Sequence, residues 1–383
     1  MAAVLIAYCD YVEQCKAHCA DVQSACEAAI DLYVKSRGGV KNLWVFTIPT
    51  VHFAPSEMCE KSFCQEFRFS HAQMNRVVLG LLSIDFPKFI VTTARDKCPL
   101  YDAVCMLCMK FAWPTRLGSM VKVFGCSVAR MSRIVSHLRR LLFHAFVPAL
   151  NSPALLDCAT MERFSRAVVE KSGFPAQHIF GFIDGTVRAI PKPKHLQSAV
   201  YCGKDRVHAL KYQAVVTPDG MLQQLGGPWP GARHDMHMVR QSCVLPYLRA
   251  LPRSSDGAQF CIYADCGYAE APGLVTPYFD GAVNVWHEAI NQAMASSRIA
   301  VEWAFGDIVL QWSHVDFTRT HQLLSNRKSA QVYLVAGLLT NFLNCFVPNR
   351  GSQYFKVQPP IFEEYLRCLV ARTAGIHQGE ANE

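Results

Sequence analysis

Phe180-Gly-Phe-Ile-Asp-Gly185 is a short apolar run that closes on a carboxylate and a glycine. A run of that length, stopped by a turn residue, reads as a buried strand, with Asp184 at its end. Two other stretches share the texture. Ala209 to Thr217, closed by Pro218-Asp-Gly220, reads as a strand with its hairpin turn. Phe260-Cys-Ile-Tyr-Ala264 reads as a further buried strand, ending in Asp265. His287 to Trp312 and Ala330 to Phe346 carry helical periodicity instead. Strands followed by helices, with carboxylates at strand ends, predict a mixed α/β domain over residues 176–350.

The chain ahead of this domain reads as all-α. Residues 1–55 are expected to form a helix to about 35, broken by Ser36-Arg-Gly-Gly39, and then an irregular linker. Residues 56–150 read as a helical region, with Ser70 as the N-cap of a helix from His71 to Leu82. Within it Tyr101 to Trp113 forms one helix, and Pro114 starts a second that ends near Phe124. Gly125-Cys126-Ser127 makes a turn, and Ser127 caps a third helix to about Phe146. Residues 151–175 are read as a connecting segment and 351–383 as a tail with a polar, frayed end.

Of 383 residues, 51% are hydrophobic and 18% charged, which excludes a mainly disordered or collagen-like chain. No apolar run reaches the roughly 18 residues of a membrane span; Val332 to Val347 is interrupted by Thr340, Asn341 and Asn344. Ala2 to Cys9 is apolar but lacks the basic flank of a signal peptide and meets Asp10. A soluble, intracellular protein is expected. The 17 cysteines are odd in number and sparse for a disulfide scaffold, so they read as buried small hydrophobes. Cys105 and Cys108 form a CxxC, and Cys15-Lys-Ala-His-Cys19 groups three more zinc-binding side chains, but no second pair follows at finger spacing.

The net charge of +8 is concentrated. Between Ala103 and Leu156 there is no acid, while Lys110, Arg116, Lys122, Arg130, Arg133, Arg139 and Arg140 all fall there. So one-sided a segment favours a polyanionic partner, of which nucleic acid is the commonest. Projected at about 100° per residue, the third helix places Val128, Met131, Ile134, Val135, Leu138, Leu141 and Leu142 on one arc, and Arg130, Arg133, His137 and Arg140 on the other. With the preceding turn this is the pattern of a helix-turn-helix whose recognition helix contacts DNA. The plainer reading is an amphipathic helix with a solvated basic face.

The acids of the α/β domain are few, so their placement is informative. Asp184 and Asp265 close strands, and Glu302 lies on a helix within Arg298-Ile-Ala-Val-Glu-Trp-Ala-Phe-Gly306. Oxygen ligands on rigid elements from separate parts of the chain are what a hard divalent cation requires. Each sits among apolar neighbours, where an ionised carboxylate is costly unless paired or metal-bound. Any one alone could equally be a cap, a turn acid or half of a salt bridge. Arg298, four residues before Glu302, could orient that carboxylate, touch a phosphate, or form an ordinary i,i+4 pair.

Five stretches in order resemble the catalytic domain of Harbinger-type DDE transposases, the family described as a DDE superfamily endonuclease. They are Ile183-Asp-Gly-Thr186; Tyr201-Cys-Gly-Lys204 with His208, Lys211 and Gln213; Pro230-Gly-Ala-Arg-His-Asp235; Ala264-Asp-Cys-Gly-Tyr268; and Arg298 to Gly306. The resemblance implies an RNase H-like mixed sheet with flanking helices, catalytic acids at Asp184, Asp265 and Glu302, and a further metal-binding position at Asp235. It also implies two Mg²⁺ or Mn²⁺ ions, DNA as substrate, a nuclear location and a Myb-like DNA-binding partner. Lys204, His208 and Lys211 would follow the DNA backbone, and His234 would position Asp235 or meet a phosphate. A homo-oligomer is compatible with this reading.

The alternative is a domesticated, non-cleaving DNA-binding protein derived from such a transposase. A phosphohydrolase centred on His234-Asp235, with His208 and His237, leaves Asp184 and Glu302 unexplained. There is no GxxxxGK[ST] loop for ATP. The prolines of Gly226-Gly-Pro-Trp-Pro-Gly231 remove the amides a phosphate loop would need.

Overall fold

Helix starts follow the local capping chemistry. Ser70 accepts from the Gln73 amide at 3.1 Å while the Gln73 side chain accepts from the Ser70 amide at 2.9 Å, a capping box. Ser127 accepts from the Arg130 amide, and Asn284 from the His287 amide at 2.9 Å. The computed structural model describes residues 53–113, 116–153, 156–173, 178–278, 284–316 and 326–381. The helix expected over 1–35 and the Cys15–Cys19 cluster lie outside them. The chain divides into two units, Met1–Ile48 with His377–Glu383, and Pro49–Ile376; the second carries everything below up to Ile376.

Its helical part comprises α1 (Glu60–Phe67), α2 (His71–Ser83), α3 (Leu100–Ala112), α4 (Leu117–Phe124) and α5 (Val128–Asn151), with a small hairpin of β1 (Phe89–Val91) and β2 (Lys97–Pro99) between α2 and α3. Gly125 takes the left-handed conformation (φ 59°) that ends α4. The apolar arc foreseen on α5 is largely buried: Met131, Ile134, Val135, Leu138 and Leu142 face the core, whereas Val128 is exposed. The helix runs past Phe146 to Asn151 because Val147, Ala149 and Leu150 continue the buried face. Cys105 and Cys108 are buried in α3, where burial pushes both thiols up.

The α/β part is built on β3 (Ile179–Ala189), β4 (Tyr201–Cys202), β5 (Val207–Val216), β6 (Leu222–Pro230), β7 (Cys261–Tyr263) and β8 (Leu274–Val275). β3, β5 and β6 are antiparallel neighbours; β7 and β8 continue from β3 as parallel strands, giving the order β6-β5-β3-β7-β8, with β4 on the first residues of β5. The sheet is thus mixed, as the α/β reading requires. α6 (Cys158–Ser172) and α10 (Val285–Gln311) pack on β3, while α5 and α11 (Asn326–Asn344) pack on β6, so helices and sheet share one continuous apolar core. The short helices α7 (Gln197–Val200), α8 (Asp235–Gln241), α9 (Val244–Ala250) and α12 (Arg350–Phe355) join these elements, and α13 (Phe362–Ala381) follows.

Four expectations differ from what is observed, the first being that the all-α stretch ahead of the α/β domain contains the β1–β2 hairpin. Asp184 does not end its strand. The parallel ladder to β7 stops at Phe182, but the antiparallel ladder to β5 carries β3 on to Ala189, and Gly185 lies inside the strand rather than in a turn. The segment 151–175 contains α6, capped by Asp157, which accepts from the Thr160 amide at 2.6 Å. Beyond residue 350 the chain forms α12 and α13, whose Phe362, Leu366 and Leu369 are buried.

Candidate active site

The edge of β3 that loses its parallel neighbour after Phe182 is where Asp184 projects. Its Oδ1 accepts from the next amide, Gly185 N, at 2.7 Å. Asp265, two residues past the end of β7, repeats that geometry on the Cys266 amide at 2.8 Å. Each aspartate is therefore oriented in part by the amide that follows it.

Glu302 and Arg298 come from α10, one turn apart. Arg298 bridges two of the acids: its Nη1 donates to Asp184 Oδ2, and its Nη2 lies 3.2 Å from Glu302 Oε1. The arginine joins β3 to α10 as well as pairing along its own helix. Asp235 opens α8 with Lys211 Nζ 3.7 Å from its Oδ1. Lys211 also donates to the Arg233 carbonyl at 2.7 Å. Two glycines locate the carboxylate further. A methyl on Gly185 would stand 3.4 Å from Asp235 Oδ1, and one on Gly267 would stand 3.1 Å from Oδ2. Asp235 thus lies between Gly185 and Gly267, one and two residues beyond the other two aspartates.

The electrostatics show that the acids sense one another. Burial pushes the Asp184 carboxyl up to about 6; Arg298 and the Gly185 amide oppose the rise, and Asp265 and Glu302 add to it. Burial would lower the Arg298 guanidinium, but Asp184, Asp265 and Glu302 together raise it instead. Tyr268 is held well above the ordinary tyrosine range, first by burial and then by Asp235, Asp184 and Asp265. Tyr263 is pushed up to about 12, again by burial first, with Asp265 contributing. Among the described residues the hydroxyls of both tyrosines are buried without a hydrogen-bond partner. These two were not singled out in the sequence; Tyr268 closes the Ala264-Asp-Cys-Gly-Tyr268 stretch, which was the available signal.

Among the described residues no three His, Cys, Asp or Glu side chains stand in a ligating array. Asp184 and Glu302 are instead brought together through Arg298. Of the remaining predicted residues, His234 is the exposed N-cap residue of α8 and makes no side-chain capping bond. Lys204 is exposed, close enough to Cys266 to oppose the rise that burial and Asp265 impose on its thiol. His208 is the second residue of β5, its ring edge-on to Tyr201 at 5.5 Å.

The basic residues of α5 fare differently from the expectation of four free cations. Arg133 pairs with Asp96, and Arg130 Nη2 donates to the Lys97 carbonyl at 2.8 Å, so both are engaged with the β1–β2 hairpin. Arg140 Nη2 lies 3.3 Å from His137 Nδ1 on the same helix. Arg139 is buried, which lowers its pKa to about 10.

A family model now applies to the ground these acids cover. Residues 183–341 match a DDE superfamily endonuclease. The match contains Asp184, Asp235, Asp265, Arg298 and Glu302 and spans rather less than half of the chain. No curated protein and no solved structure matches. Such an endonuclease acts on DNA, and among the described residues no helix is long and apolar enough to cross a membrane.

Proposed function

We propose that residues 176–350 are the catalytic domain of a divalent-metal-dependent DNA endonuclease of the Harbinger-type transposase kind, cutting and joining phosphodiester bonds at Asp184, Asp265 and Glu302. The observation that carries this is their convergence. Asp184 from β3 and Glu302 from α10 share Arg298, and both, with Asp265 from the end of β7, act on the same guanidinium. The strand order, three antiparallel strands followed by two parallel ones, supports the RNase H-like reading.

The donor set fits a hard divalent cation. All four acids offer oxygen, Asp184 is partly desolvated and crowded by like charges, and the Tyr263 and Tyr268 hydroxyls are buried donors without an acceptor. Asp184, Asp265, Glu302 and Asp235 would hold Mg²⁺ or Mn²⁺, which would supply an activated water and neutralise charge on the leaving oxygen. The chain's own residues do the rest. The Gly185 and Cys266 amides fix the two aspartates, Lys211 steadies Asp235, and Arg298 keeps Asp184 and Glu302 together. Lys204, His208 and His234 would meet phosphates of the bound strand. The helix pair α4–α5, with its Gly125 turn, supports the helix-turn-helix reading, in which the exposed cations of α5 meet DNA. A nuclear location and a Myb-like DNA-binding partner belong to the same proposal.

The test is a nicking assay on supercoiled and terminal-repeat DNA with Mg²⁺, Mn²⁺ or EDTA. Metal-dependent nicking is expected, with none in EDTA. Tight DNA binding without cleavage under any metal would select the domesticated, non-cleaving alternative.

A pH dependence follows from Asp184. With its carboxyl raised to about 6, it is protonated, and so no ligand, below that pH. Mn²⁺ affinity measured by titration calorimetry is expected to be flat above about pH 7 and to fall roughly tenfold per unit below about pH 6. Glu302→Gln removes a negative neighbour, lowers the Asp184 pKa and moves the break to lower pH. Affinity constant down to pH 5 would remove Asp184 from the ligand set.

A further inference from the structure

The β1–β2 hairpin is fastened to α5 by the side chains that would otherwise form that helix's free basic face. Arg133 grips Asp96 with two bonds, Nε to Oδ2 at 2.6 Å and Nη2 to Oδ1 at 3.0 Å. Thr92 Oγ1 donates to the same carboxylate at 2.7 Å and accepts from the Asp96 amide at 3.2 Å. Arg130 holds the Lys97 carbonyl. The inner face of the hairpin, Ile90 and Cys98, is buried beneath this arrangement.

The outer face is different. Phe89 is 44% exposed and Val91 54%, an unusual pair of large apolar groups to leave in water. Register sets Phe89 opposite Pro99 and Val91 opposite Lys97. The Lys97 ammonium lies 4.3 Å above the Phe89 ring. Lys88 and Arg95 are exposed beside them, Arg95 at the tip with a positive φ of 61°. Between residues 88 and 99 the only acid is Asp96, and Arg133 neutralises it.

We propose that this outer hairpin face is a DNA-docking surface. Lys88, Arg95 and Lys97 contact backbone phosphates, Phe89 and Val91 rest against sugar edges, and Arg133 is a positioning residue that holds the hairpin rather than a reader of bases. The proposal rests on the DNA reading above and changes where contact is made. Charge chooses the occupant: lysine is depleted from protein–protein interfaces, whereas cations interleaved with apolar groups suit a phosphate backbone. A two-stranded ribbon is also narrow enough to enter the major groove.

The test measures duplex affinity of the full chain by fluorescence anisotropy across a salt series in EDTA, so that no cleavage intervenes. K88A/R95A/K97A is expected to weaken binding about 10- to 100-fold and to reduce the slope of log affinity against log salt by about 2–3, near 0.9 per lost phosphate contact. Phe89→Ser should weaken binding with the slope unchanged. Arg133→Lys keeps the charge but loses the two-pronged grip, so it should weaken binding as well; full rescue by lysine would make Arg133 a direct phosphate contact and overturn its assigned role. A triple variant that binds like wild type while Arg140→Ala binds more weakly overturns the hairpin surface but leaves the DNA reading standing. Unchanged DNA affinity with an altered sedimentation coefficient would make this face a protein interface and overturn the proposal. A wild-type chain that binds no duplex overturns both.

Discussion

Asp184→Asn, Asp265→Asn and Glu302→Gln are each expected to lower metal-dependent strand cleavage by about three orders of magnitude or more, with duplex affinity within about twofold of wild type. A rate loss of that size corresponds to about 4 kcal/mol of transition-state stabilisation, the scale expected when a charge-neutralising ligand set is broken. Amides preserve shape, and Asp184 in particular loses a buried charge that the fold must otherwise balance with Arg298, so the variants should remain folded. The measurement is a single-turnover nicking rate with Mn²⁺, accompanied by a melting curve. Cleavage retained in any one variant removes that residue from the site. Loss in all three together with a collapsed melting curve would assign the cluster to stability instead.

Asn341→Leu is expected to cost about 3–4 kcal/mol of stability, roughly a 5 °C fall in melting temperature for a chain of this size. Asn341 is fully buried on α11, where its Oδ1 accepts from Leu222 N at 3.0 Å and its Nδ2 donates to Leu222 O at 2.9 Å and to the Tyr365 hydroxyl at 2.7 Å. A side-chain amide thus completes the edge of β6 as a neighbouring strand would. Leucine matches its volume and leaves both Leu222 backbone groups buried and unpaired, the costly half of the hydrogen-bond asymmetry. A loss below about 1 kcal/mol would mean that water reaches this edge.

The same segment shows how sequence and structure divide the information. Thr340, Asn341 and Asn344 interrupt an apolar run, and in the sequence they serve only to argue against a membrane span. In the fold each has a partner. Thr340 accepts from Trp312 Nε1 at 3.1 Å, Asn341 pairs with Leu222, and Asn344 donates to the Gly220 carbonyl at 3.2 Å. Those partners are 28 to 124 residues away in sequence, too far for any spacing rule. Arg133 repeats the lesson. An acid-free stretch from 103 to 156 implies free cations, yet the acid that answers Arg133 is Asp96, brought in from outside that stretch by the hairpin. The extent of β3 is another such case: Gly185 has the look of a turn residue in sequence, but it lies inside the strand, with Asp235 and Met238 close to where a Cβ would stand.

By itself the sequence determined what depends on neighbours along the chain. The Ser70 and Ser127 caps, the Gly125 turn, the buried face of α5 and the hairpin after β5 all follow from capping chemistry and periodicity. The proposal of Asp184, Asp265 and Glu302 as the site acids also came from the sequence, from the resemblance carried by the stretches around them. Tertiary structure alone decided that Arg298 reaches Asp184 across 114 residues, that Asp235 lies between Gly185 and Gly267, and that the basic helix carries a hairpin. Such contacts arise when sheet register and helix packing bring distant backbone together, and a one-residue change of register would turn every strand side chain to the opposite face.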